Sequence, residues 1–147
     1  MSESMDERSV DDAHSRPPGV DDATVAALGE LSKALETVHR ARGHLYSMHQ
    51  LIGGADATLD RVVELLRAAG HQRIADRVQT DLIGRNVLPG RWTFQVVEEF
   101  DDGYFAVFQE VERAAREELA AGRRHLHEAE LKQARRTRGR PGHEATP

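Results

Sequence analysis

The sequence predicts an all-α protein, a bundle of about four helices of which two are long and two short. Apolar residues recur at spacings of three, four and seven along most of the chain, which is the period of a helix face. No stretch alternates apolar and polar residues for long enough to make a convincing strand, and no internal repeat is present. A glycine pair, single glycines and a Pro-Gly step punctuate the periodic segments where helices would start and stop.

The first long helix is carried by Leu28, Leu31, Leu35, Val38, Leu45 and Ile52, with Asp21 or Asp22 as cap and Gly53-Gly54 as the stop. "ADATLDRVVELLRAAG" comes next as a short helix, with Leu59, Val62, Val63 and Leu66 on one side and Gly70 ending it. "HQRIADRVQTDLIGRNVL" repeats the pattern with Ile74, Val78 and Leu82. Pro89-Gly90 suits the centre of a type II turn, because proline presets φ and glycine accepts a positive φ. Thr93 then caps a second long helix over about residues 94–133, with Val97, Phe100, Tyr104, Phe108, Val111 and Ala115 on its inner face. Trp92 and Val97 flank that cap like a hydrophobic staple, and Gly103 is the weak point of the helix. The predicted organisation is an acidic disordered tail over residues 1–20, a helical bundle over 21–134 and a basic disordered tail over 135–147.

Composition narrows the chemistry. Hydrophobic residues make up 39% and charged residues 31%, and no apolar run approaches the roughly 18 residues a membrane helix needs. No membrane contact is expected, and the acidic N-terminal stretch lacks the layout of a secretory signal, so a cytoplasmic protein is expected. The absence of cysteine removes disulfides, thiolate metal sites and a cysteine nucleophile. The net charge of -5 conceals an acidic N-terminal end and a basic C-terminal one, where Arg123, Arg124, Lys132, Arg135, Arg136, Arg138 and Arg140 cluster. Such a basic tail is one way to contact nucleic acid, but it has no interleaved aromatic for base stacking, and two solvated termini are the favoured reading of the asymmetry.

Six of the seven aromatics, Trp92, Phe94, Phe100, Tyr104, Phe105 and Phe108, fall within residues 88–108, interleaved with Glu98, Glu99, Asp101 and Asp102. Six buried rings would form the thick end of a core. The acids need another reason. Arg42 and His49 continue the row Leu28, Leu35 on the first helix and so interrupt its apolar stripe. A buried cation is costly unless paired, which calls for a carboxylate opposite Arg42. Asp101 is placed for that role, being four residues after Val97 and three before Tyr104, and Glu98 lies about one turn earlier. The candidate site is therefore Arg42 and His49 facing Asp101 and Glu98, edged by Tyr46 and Tyr104. It reads either as an interhelical ion pair that fixes register or as a pocket for a small molecule or anion between the two long helices.

Metal and enzyme readings are weaker on the residues. His44 and His49 are five apart and do not share a helix face, and only one Glu-x-x-His pair (Glu36, His39) occurs where a dimetal bundle needs two. His125, His127 and Glu128 read as a solvated helix end. No metal, cofactor or catalytic residue is expected. Arg42 and His49 also make an R-x6-H spacing similar to the arginine-histidine signature of HEPN-type ribonucleases, which are small helical bundles. That resemblance implies metal-independent RNA cleavage, with His49 in acid-base work and Arg42 on the phosphate. The spacing departs from the commoner four residues, Gly43 stands where a polar residue usually comes after the arginine, and the pair sits on the first helix rather than late in the bundle.

"GRNVLPGRWTFQVVEEFDDGY", with "GHLYSMHQLIG" before it, resembles a small α-helical family associated with actinobacteria that has no assigned function; the likeness covers about residues 25–120 and brings no catalytic residues. The sequence thus points to a protein that works by binding a protein partner or a second copy of itself, with a small ligand as the alternative and an enzyme the less favoured reading. Self-association through the long, half-apolar helix would give a homodimer.

Overall fold

The computed structural model describes residues 11–147, and the first ten residues of the predicted acidic tail lie outside the described residues. Among the described residues the protein is all-α. It comprises α1 (Asp22–Ala68), α2 (Gln72–Asp81), α3 (Thr93–Phe100), a π-helical turn (Asp101–Phe105), α4 (Ala106–Ala120) and α5 (Leu126–Arg135). Because α3, the π-turn and α4 are continuous, there are two long and two short helical runs. No described helix is long and apolar enough to cross a membrane.

The predicted count is therefore met with different boundaries. α1 does not stop at Gly53-Gly54 but absorbs the predicted second helix. Both glycines lie in open space, and neither has a positive φ, so nothing there breaks the helix. An interior glycine costs only about 1 kcal/mol against alanine, which the rest of a helix this long outweighs. The real stop is Gly70, at φ +86, where the amide of His71 returns to the carbonyl of Leu66 at 2.8 Å. At the other end Asp21 is the cap, accepting from the amide of Thr24 at 2.8 Å, and hydrogen bonds from the Thr24 side chain and then its amide hold the carboxyl below the ordinary value.

The second long run differs in the same way. It ends at Ala120 rather than near residue 133, and the turn after it carries three residues with positive φ: Ala121, Gly122 and His125. The amide of Gly122 bonds the carbonyl of Arg116 at 3.0 Å, and α5 starts only after His125. Upstream, the amide of Arg91 meets the carbonyl of Leu88 at 3.0 Å across Pro89-Gly90, with Gly90 at φ +72, as a type II turn requires.

The chain divides into two compact units, so the stretch read as one bundle is shared between them. The first takes residues 11–37 and 107–147. Its core is Val25, Ala120 and Leu126, with Val20 and Leu28 packed against them. Beside it Glu112 is buried and takes Nε of Arg116 at 2.9 Å and the hydroxyl of Ser32 at 3.3 Å. Burial pushes the Glu112 carboxyl up, but these hydrogen bonds outweigh it and hold it below the usual value.

Residues 11–20, read from the sequence as part of a disordered tail, carry a 3-10 turn at Asp12–His14, and Arg16 pairs with Glu130 and Asp22. Residues 136–147 also fold back. Arg136 is buried and bonds Gln133 and the carbonyl of His143, while the His143 ring accepts the amide of Thr137 at 3.0 Å. In both segments arginine supplies enough directed hydrogen bonds to order chain that has little apolar content.

The second unit, residues 38–106, holds the C-terminal part of α1, α2, α3 and the π-turn. Val63, Ala75, Val97 and Phe105 are its buried hydrophobics. Asp56 on α1 accepts the amide of Gly84 at 2.9 Å, and Arg67 bonds Gln72 and Asp76, so polar contacts tie α2 and the loop after it to α1.

Two pairs of substitutions check these boundaries. Replacing Gly53 and Gly54 with alanine is expected to raise stability by about 1 kcal/mol each, measured by urea unfolding; a loss would mean that the helix does end there. In the α4–α5 turn the signs oppose: Gly122→Ala should cost about 1–2 kcal/mol, and Ala121→Gly should gain up to about 1 kcal/mol.

Candidate functional site

On α1 the positions that the periodicity places inward in the second unit, Val38, Arg42, Leu45 and His49, are all half-buried. Arg42 reaches Asp101, the first residue of the π-turn, through two parallel hydrogen bonds: Nε to Oδ1 at 2.6 Å and Nη2 to Oδ2 at 2.9 Å. This fork-to-fork geometry is the strongest form of a carboxylate-guanidinium pair. The guanidinium carbon also lies 4.8 Å from the ring centre of Tyr46 and 5.4 Å from that of Phe105, so the cation is held by π-faces as well.

The pair is not deeply buried. The two side chains keep 31% and 27% of their exposure, which makes this a boundary interaction rather than an ion pair in a dry core. Hydrogen bonds from Arg42 hold the Asp101 carboxyl below its ordinary 3.8, and the same contacts raise Arg42 further above its already high value.

The other predicted members separate from this pair. His49 does not face Asp101; its Nδ1 shares a hydrogen bond with the hydroxyl of Thr93 at 2.7 Å. Thr93 can do this because it is the first residue of α3 rather than the cap. The cap position is Trp92, whose amide donates to Oε1 of Gln95 at 2.9 Å. Tyr46 sits edge-on to His49 with ring centres 6.3 Å apart, between the two contacts. Glu98 remains exposed on α3 and stays outside the pair. Tyr104, expected inside, is 60% exposed, with its ring 5.9 Å from that of Phe100.

The π-turn explains why Tyr104 lies outside. It inserts an extra residue into the helical run, so Phe105 replaces Tyr104 as the buried ring and Glu112 replaces Val111 as the buried residue two turns on. Phe105 then stacks on Phe100, with centres 6.0 Å apart, and receives the edge of His39 at 5.0 Å. Thr93, Phe105 and His39 are the contacts that sequence reasoning missed. In the sequence the first reads as a cap, the second is one residue out of register and the third suggests only a metal ligand.

A further polar group joins residues distant in sequence, within the first unit. Glu36 on α1 and His125 and Glu128 at the start of α5 place one ligand atom each within 4.8 Å of one another, all three exposed. In sequence His125 and Glu128 read as a solvated helix end, and nothing in their spacing points to Glu36.

The pH dependence of stability reports on the Arg42–Asp101 pair. Because the folded carboxyl titrates below 3.8, its stabilisation is complete above the unfolded value and disappears as pH falls through the folded one. The difference in unfolding midpoint between the native chain and Asp101→Asn should be constant above about pH 5 and shrink in more acidic solution. Arg42→Ala should produce the same profile and add little to Asp101→Asn in the double variant.

Comparison with family models, with curated proteins and with solved structures finds no match to this chain.

Proposed function

We propose that the protein acts by binding another protein, in the first instance a second copy of itself, and that the aromatic stretch supplies the contact surface. One observation carries this reading. Leu88, Trp92, Phe94 and Tyr104 are 52%, 56%, 42% and 60% exposed within a short span, and the Trp92 and Phe94 rings lie 5.2 Å apart. Tryptophan and tyrosine at the centre of a patch are the residues on which protein interfaces most often depend. Leu51 and Ile52 on α1, Ile74 on α2 and Leu82 just after it are exposed as well, so the same unit has more apolar surface than its thin core uses.

The neighbouring charges suit a polar rim. Arg91 pairs with Glu99 beside Trp92, and Glu98 and Asp102 are exposed nearby. Within the same unit Arg42, already paired with Asp101, also lies over the rings of Tyr46 and Phe105. For an anion to use Arg42 it would have to displace a carboxylate already bound at two points, and this makes a ligand pocket the poorer reading. On this proposal the protein is a cytoplasmic, non-enzymatic binding module.

Native mass spectrometry of untagged protein tests it. A dimer is expected at micromolar concentration, and Trp92→Glu combined with Tyr104→Glu should yield a monomer with an unchanged far-UV spectrum. A native chain that stays monomeric, or a dimer indifferent to both substitutions, would overturn self-association through this surface.

A further inference from the structure

We propose that Glu36, His125 and Glu128 form a binding site for one divalent transition-metal ion of the zinc class. The ligand atoms come from two places: Glu36 from α1, and His125 and Glu128 from the turn and first residues of α5. The scaffold beneath them is packed. Val25 on α1, Ala120 and Leu126 form the core of this unit. α1 and α5 approach closely enough that a Cβ on Gly29 would lie 3.3 Å from that of His127. The elements that carry the three residues are therefore packed together, while the exposed side-chain ends remain free to adjust.

The charge balance is the second argument. Glu36 makes no ion pair or hydrogen bond among the described residues, and the contact of Glu128 is with His125, Nδ1 to Oε2 at 3.9 Å. Two carboxylates thus converge without an arginine between them, in a chain that has 20 basic residues and pairs many of its other acids. A dication beside two carboxylates and a neutral imidazole gives a neutral centre. The mixed nitrogen and oxygen donor set favours zinc or its first-row neighbours over calcium and magnesium, which prefer oxygen alone.

The geometry can close. Metal-ligand bonds of about 2.0–2.2 Å place tetrahedral ligands about 3.4 Å apart. From separations within 4.8 Å, each exposed side chain needs only a small torsional adjustment. Three protein ligands leave one position open, and a cavity of about 20 Å³ adjoins His125 and Glu128, with Ser32, Arg116 and Arg123 also on its walls. It has room for about one water. The proposed ion would fasten the start of α5 to α1 and keep a water ligand facing that cavity.

Isothermal titration of the full untagged chain with zinc chloride, and with calcium chloride as the contrasting arm, tests the proposal. Zinc should bind one-to-one and raise the thermal midpoint, and calcium should not compete. Glu36→Gln and Glu128→Gln should each weaken binding at least about tenfold, since even changes around a metal's ligands cost roughly 10–100-fold. His44→Ala, an exposed histidine in the other unit, should leave affinity unchanged. Uptake only at millimolar zinc, unchanged affinity in both glutamine variants, or loss of binding in His44→Ala would each overturn the site.

Discussion

One extra residue in a helix sets much of what this protein presents. At Asp101–Phe105 the second long helical run takes a π-turn, and everything after it is rotated by about one residue relative to an uninterrupted α-helix. An α-helical register would turn Tyr104 and Val111 inward. Asp101, at the first position of the turn, and Phe105, at its last, both face α1, so that one side of Arg42 meets a carboxylate and another meets a ring. The π-turn leaves Tyr104 outside, where it joins the exposed aromatics, and buries Glu112, which Arg116 then has to satisfy. The exposure of Tyr104 and the Glu112–Arg116 pair both follow from a single local change in backbone hydrogen bonding.

The sequence is most legible where a pattern repeats and least where a single residue decides. The α1 stripe appears as half-buried positions from Leu28 to His49, with Ile52 beyond them exposed, and the requirement that a cation in that stripe find a carboxylate is enough to identify Asp101 as its partner. His49 reads as a member of the same group because it shares the stripe. A shared face does not imply a shared partner, and Thr93 comes closer because α3 begins one residue earlier than its apparent cap suggests. The π-turn itself has no marker in "DDGYF" beyond a glycine, and Gly103 reads equally as a weak point in an ordinary helix.

Glycine illustrates how little a residue type says without its surroundings. Gly70, Gly90 and Gly122 each occupy a positive φ and end or turn the chain. Gly53 and Gly54 look the stronger stop in sequence and stop nothing. The difference lies in the residues downstream. Beyond Gly70 the chain has a capping bond to form, whereas beyond Gly54 the apolar period resumes, so continuing the helix satisfies more backbone groups than leaving it.

That uninterrupted passage leaves α1 with an uneven interior. From Leu51 to Ala55 every residue is exposed, two of the five have no side chain, and apart from the hydroxyl of Thr58 on the carbonyl of Gly54 the helix there rests on its own ladder. Amide protons in this span should exchange with solvent through local openings well before those near Val25 or Val63, whose side chains are packed. A helix that is single by geometry would then behave as two protected stretches separated by a soft one, and protease nicking or a tolerated insertion in α1 would be found in the middle rather than at an end.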